Sequence, residues 1–229
     1  MEGETDQSQT FPSFLLNIDL RPVGTRHAIS AIRKYLELME KQMPIVQEME
    51  FAALEADRPE GDDEEDRSIH SSIVTYTENL FEEDLVPTMR YSFIIFLHTV
   101  FETRLRDFCD RVRLEQNHRI SVADLRGSAI DQARDYLTKL AAIPVADYPE
   151  WSQLKNFQKI RDCIVHTYGF IHAGEDRFAS VKRIIDSDPD LTLNHRSRIS
   201  PGSKFCERHL ANVESFLNRI MTALGWKIN

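Results

Sequence analysis

The sequence predicts an all-α protein, a bundle of five or six helices with a small β-hairpin near residues 190–200. Three observations carry this. Apolar residues recur at steps of three and four over long stretches, the spacing of one helix face. Glycine and proline are scarce, 8 and 9 in 229 residues, so turn-forming residues are few. The widest apolar stripe, from Met89 to Val112, covers about seven helical turns, the length of a central bundle helix. A chain of this length buries a sizeable core.

Residues 1–24 read as a loose arm with one sticky patch, Phe14-Leu15-Leu16. From Arg26 onward Ile29, Ile32, Leu36, Met39 and Met43 keep helical spacing. Pro44 interrupts that pattern and Val46, Met49 and Ala53 continue it, which predicts two helices or one kinked helix. Residues 55–67 hold eight acidic side chains with two arginines, a proline and a glycine, and predict a solvated, self-repelling linker. Ile73-Val74-Thr75-Tyr76 has strand character, but Asn79 to Glu83 downstream tips residues 69–86 towards helix.

After Pro87 the central stripe runs through Met89, Phe93, Phe96, Leu97, Val100, Phe101, Leu105, Phe108 and Val112, all expected in the core. Glu102 lies just beside it, where an acid is out of pattern. Residues 127–141 form the next helix, with Ile130, Ala133, Leu137 and Leu140 inward. Trp151–His166 follows, with Gly169 as a stop signal. Val181–Ile185 continues in helical pattern, and Leu191–Leu193 with Arg198-Ile199 suggests the hairpin. Ser200-Pro201 opens a last helix that carries Phe205, Val213, Phe216, Leu217, Ile220 and Leu224 inward. The expected organisation is an N-terminal helical arm with its acidic linker, residues 1–67, and a helical domain over residues 68–229.

The net charge is −9, and it is local. Residues 1–67 carry 16 acidic and 7 basic side chains, whereas residues 68–229 carry 21 of each. Residues 151–229 hold 12 basic against 8 acidic groups, so the C-terminal third is able to meet a polyanion. Cys109, Cys163 and Cys206 are odd in number and far apart, which predicts reduced thiols and a cytoplasmic protein. No apolar run reaches the ~20 residues of a membrane helix, so no membrane partner is expected. The polar, acidic opening MEGETDQSQT does not read as a signal peptide. Neither a phosphate-cradling Gly-Lys loop nor a dinucleotide fingerprint occurs. Cys163, His166 and His172 lack an evident fourth zinc ligand. The expectation is therefore no cofactor and no metal. His195, Arg196 and Arg198 form a small basic cluster on the hairpin, read as a solvated turn rather than a phosphate contact.

One helix is chemically informative. On a wheel of about 100° per residue, Trp151, Leu154, Phe157, Ile164 and Val165 share an arc, and Arg161 falls near its middle. A guanidinium there stays charged and needs a partner or an anion. His166 lies about 140° around the axis from Arg161, in the last turn, where the helix dipole favours a cation. Asp162, four residues before His166, is spaced to orient that ring. A fixed cation, a proton donor-acceptor and a supporting carboxylate suit phosphodiester cleavage without a metal. By spacing alone, a coincidental Arg and His on a helical scaffold is the rival reading.

The stretch WSQLKNFQKIRDCIVHTYG, residues 151–169, resembles the signature of HEPN domains, in which Arg and a polar residue precede His with four to six residues between. Here the gap is four and the polar residue is Asp162. Residues 101–109, Phe-Glu-Thr-Arg-Leu-Arg-Asp-Phe-Cys, are similar to the family's long central helix. The resemblance spans residues 69–225 loosely by helical order and is specific only near 151–170. It implies a helical bundle that dimerises about a two-fold axis, both motifs lining one cleft. It also implies a metal-independent endoribonuclease acting on RNA in a toxin–antitoxin or phage-defence setting. In that reading Arg161 and His166 are catalytic, Asp162 supports His166, and Glu102 and Tyr168 stand behind them. His166-Thr167-Tyr168 is similar to the His-any-Tyr extension of HEPN toxins paired with small nucleotidyltransferase antitoxins, which implies such a protein partner and a modifiable Tyr168. This chain departs from them in its length and acidic insert. Because some HEPN domains are inactive, the alternative reading is a non-catalytic dimerisation or partner-binding module.

Overall fold

A computed structural model describes residues 21–59, 63–172 and 175–226. The expected arm with its Phe14-Leu15-Leu16 patch lies, up to residue 20, outside the described residues. Among those described, six α-helices have eleven residues or more: α1 Val23–Ala56, α2 Glu64–Asn79, α3 Val86–Glu115, α4 Ala129–Lys139, α5 Trp151–Thr167 and, after a nine-residue α6 Ala179–Ser187, α7 Ser203–Ala223. Leu80–Leu85 joins α2 to α3 as a π-helical segment. The predicted hairpin is present as β1 Leu191–Leu193 and β2 Ile199–Pro201, antiparallel, with Thr192 opposite Ser200. The protein is thus mainly α.

Helix α3 forms the axis, packed by α1, α4, α5 and α7. Its Phe93, Ile94, Leu97, Phe101, Leu105 and Phe108 are buried. Phe101 meets Phe216 of α7 edge to face at 5.7 Å, and Trp151 of α5 stacks on the same Phe216 at 5.8 Å. Such aromatic pairs add to area burial and fix the relative placement of helices. In α4, Ser128 caps the N-terminus by accepting from Asp131 N–H, and Ile130, Ala133, Tyr136 and Leu137 face the core.

Three expectations change and a fourth narrows: of two helices or one kinked helix, α1 is one helix through Pro44. Beyond Leu36 none of its residues is buried, so the carbonyl that Pro44 leaves without a partner is reachable by water. The first half of α1, with Ile29, Ile32 and Leu36 buried, packs on α3 and α7, so the core extends upstream of residue 68. Only part of the acidic stretch 55–67 lies between helices, because α2 begins inside it. Asp63 Oδ1 accepts from Glu65 N–H at 3.0 Å, and Glu64, Glu65 and Asp66 fill the first turn, where the helix dipole favours acids. Finally, Phe96 is 49% exposed. Apolar type alone admitted it to the stripe, but its wheel position is nearly opposite the buried arc of α3.

The segment that leaves α5 is stitched to the hairpin. Phe170 bridges Arg198, Ile171 N–H donates to Ser197 O, and Ile199 N–H donates to Gly169 O. No helix among the described residues is long and apolar enough to cross a membrane.

Candidate functional site

Helix α5 forms because Leu154, Phe157, Ile160, Cys163 and Ile164 present one buried face. It ends when Tyr168 adopts a left-handed conformation, φ 55°, followed by Gly169 at φ 78°. Gly169 N–H reaches back to Cys163 O at 3.4 Å and so satisfies one carbonyl of the last turn. Glycine is required at 169 twice over: its φ is positive, and a Cβ there would collide with the Tyr91 hydroxyl.

A tyrosine in left-handed backbone costs on the order of 1–2 kcal/mol. Its ring contacts offset that. The Arg198 guanidinium carbon lies 4.2 Å from the Tyr168 ring centroid, Tyr91 meets the ring edge-on at 5.9 Å, and the Tyr168 hydroxyl hydrogen-bonds Thr88 at 2.8 Å. Arg198 is 2% exposed and donates through Nη1 to Asp84 Oδ1 at 2.7 Å. Its Nε and Nη2 are buried without a hydrogen-bond partner, so the Tyr168, Tyr91 and Phe170 rings supply part of its compensation. His195 and Arg196 lie against Glu83 and Asp84, 3.2 Å away in each case. The basic cluster of the sequence is therefore neutralised by the π-helical segment, and Arg198 is a structural cation rather than a solvated turn residue.

Arg161 of α5 and Glu102 of α3 lie where these two helices pack, close enough for the charge of one to act on the other. Arg161 is part-buried, 23% exposed at its side chain, and donates through Nη1 to Asp162 Oδ1 at 2.9 Å. The expected Asp162–His166 support is thus replaced by an Asp162–Arg161 pair between sequence neighbours. Glu102 is half-buried, and His98 Nδ1 lies 3.7 Å from its Oε2. Burial raises the Glu102 carboxyl above the usual range, and the Arg161 charge works against that rise. His98 is fully buried, neither ring nitrogen has a hydrogen-bond partner, and it packs on Phe157. Burial, then repulsion from Arg161, lowers its pKa to about 4, so the ring is neutral at pH 7.

His166 sits in the last turn of α5, exposed, its ring making no hydrogen bond to another described residue. Arg161, Asp162, Glu102 and His98 therefore form one group at the α3–α5 seam, while His166 and Tyr168 stand at the end of α5. Among the described residues no group of three or more His, Cys, Asp or Glu side chains is arranged to hold a metal ion. All three cysteines are buried. Sequence reasoning missed His98, although its spacing of four from Glu102 was a usable signal. It also missed the Arg198–Asp84 anchor, for which separation in the chain left none.

Compared with known proteins, the chain matches no family model, no curated protein and no solved structure.

Proposed function

We propose that this chain is an HEPN-type, metal-independent endoribonuclease that works as a homodimer in a bacterial toxin–antitoxin or phage-defence system. The observation that carries the reading is His166: an exposed imidazole, unbonded, at the end of the helix that also bears a partly exposed arginine. His166 takes the proton of a ribose 2′-hydroxyl. The 2′-oxygen bonds to phosphorus, the bond to the 5′-oxygen breaks, and that oxygen takes a proton from water. The products are a 2′,3′-cyclic phosphate and a 5′-hydroxyl. Arg161 offsets the charge that gathers on the phosphoryl oxygens. Its bond to Asp162 does not prevent this. Asp162 is 43% exposed, and pairs of that kind are worth about 0–1 kcal/mol, less than a phosphate offers a guanidinium.

Because Arg161 and His166 diverge by about 140° around α5, the proposed site joins Arg161 of one chain to His166 of the second. Glu102 and Tyr168 act as positioning residues, the first beside Arg161 and the second through the end of α5. RNA cleavage by the folded chain, lost in both Arg161→Ala and His166→Ala with circular dichroism unchanged, tests the assignment. The Arg161–Asp162 bond favours one alternative, a non-catalytic partner-binding module in which Arg161 is structural. In that case neither the wild type nor any variant cleaves RNA.

A further inference from the structure

Helix α2 has no buried residue. Its half-buried side carries His70, Val74 and Thr77, and His70 Nε2 lies 2.9 Å from Leu54 O of α1. A second side carries Ile69, Ile73 and Tyr76, which are 53%, 44% and 67% exposed. With Leu80, at the start of the π-helical segment, these residues step by four, three and four. That is the spacing of a coiled-coil seam, which seats an apolar row against a second helix. Leaving three such side chains in water on a two-turn row is unfavourable unless something covers them.

Charge identifies what covers them. Residues 45–79 contain eleven acidic and two basic side chains, net −9, and the rest of the chain contains 26 of each. The excess of acid therefore falls in the stretch of sequence that contains this seam. Asp63, Glu64, Glu65 and Asp66 stand at one end of α2, and Glu78 and Glu82 at the other. A second copy lying across the seam, parallel or antiparallel, would set acid against acid at both ends. A helix with an apolar row and flanking lysines or arginines satisfies the seam and the charge together.

We propose that the exposed side of α2 is a docking surface for a basic amphipathic helix of a different protein. The surface lies on the arm formed by α1 and α2, apart from Arg161 and His166, so it is independent of the ribonuclease reading.

The probe is a synthetic helix of about 21 residues with Leu at the two seam positions of each heptad and Lys elsewhere, matched by a Glu-for-Lys control. Binding of labelled peptide to the full chain is followed by fluorescence anisotropy at low and high salt. The expected result is saturable, salt-weakened binding of the Lys peptide and none of the Glu peptide. The triple variant Ile69→Ser, Ile73→Ser, Tyr76→Ser keeps every charge and is expected to weaken binding at least about tenfold, since each residue contributes apolar area. The variant Asp63→Asn, Glu64→Gln, Glu65→Gln, Asp66→Asn keeps the seam and is expected to weaken binding and flatten its salt dependence. Circular dichroism confirms that both variants retain their helices. Absence of binding to the Lys peptide, or equal binding by the wild type and the serine variant, overturns the proposal. So does a dimer of the free chain that the serine variant alone abolishes, because a second copy then covers the seam.

Discussion

The Arg198 guanidinium lies over the ring of Tyr168, 4.2 Å from its centroid, and joins the β-hairpin to the end of the helix that carries His166. The same guanidinium is bonded to Asp84 in the segment before α3, so one buried cation holds three parts of the chain. Removing it takes from Asp84 its shorter cationic contact, leaving Arg196 at 3.2 Å, and from Tyr168 its cover. Arg198→Met is expected to cost roughly 2–4 kcal/mol in urea unfolding, below a fully buried pair because Asp84 keeps about a third of its exposure. Tyr168→Phe removes only the hydroxyl bond to Thr88 and is expected to cost about 1 kcal/mol or less. Equal stability of the Arg198→Met variant and the wild type would refute the anchoring role.

Gly169 gives a sharper local test. Alanine there carries a side chain into the Tyr91 hydroxyl at a backbone angle of φ 78°. Tyr91 is buried and donates to Ile199 O, so it has little room to withdraw. Gly169→Ala is expected to destabilise by more than about 1 kcal/mol and to lower RNA cleavage by misplacing the end of α5. Thermal unfolding reads the first effect; an unchanged melting temperature contradicts the geometry.

Acid sensitivity follows from two buried histidines. His98 and His209 are each lowered to about 4 by burial, with help from Arg161 and Arg208 respectively. Between pH 6.5 and about 4 the unfolded chain binds protons that these rings refuse in the folded state, so stability falls as pH drops through that window. At pH 5 the loss is of the order of 2 kcal/mol per ring. Glu102 opposes it: its raised pKa stabilises the fold at low pH, and that contribution fades as pH rises through the folded value. Denaturant titrations of wild type and His98→Leu at pH 7.5 and pH 5 are the check. The variant is expected to gain more at pH 5, and a parallel loss in both proteins would exclude His98 as a source.

The helices were legible because burial and period coincide in them. The rows Phe93–Val112 of α3 and Phe205–Ile220 of α7 alternate at 3.6 residues and are buried where that period puts them. Phe96 shows the limit, since apolar type says nothing about which side of the helix a neighbour occupies. Arg161 on the apolar arc was visible, and the α3–α5 seam explains it as a half-buried cation beside Glu102. Asp162 has i,i+4 spacing to His166, but the adjacent Arg161, with its long side chain, hydrogen-bonds it at 2.9 Å. Arg198 was illegible because Asp84 is 114 residues away, and only the fold brings them together.

The two-chain site has its own test. If Arg161 of one chain serves His166 of the other, a mixed dimer of Arg161→Ala and His166→Ala chains keeps one intact pair. Co-expression with two different tags isolates that dimer. It is expected to regain about half the wild-type activity per dimer, whereas each homodimer has none. Folded mixed dimers without activity would remove the trans pairing and leave the ribonuclease assignment to be judged separately.

The central claim is that Arg161 and His166 cleave RNA by proton transfer and charge stabilisation without a metal. Incubating the full chain with total cellular RNA in excess EDTA, and determining the chemistry of the new ends, tests it most directly. The account predicts cleavage that survives EDTA, leaves 2′,3′-cyclic phosphate and 5′-hydroxyl ends, and disappears in His166→Ala. Cleavage abolished by EDTA and restored by magnesium, cleavage retained in His166→Ala, or no cleavage at all would contradict it.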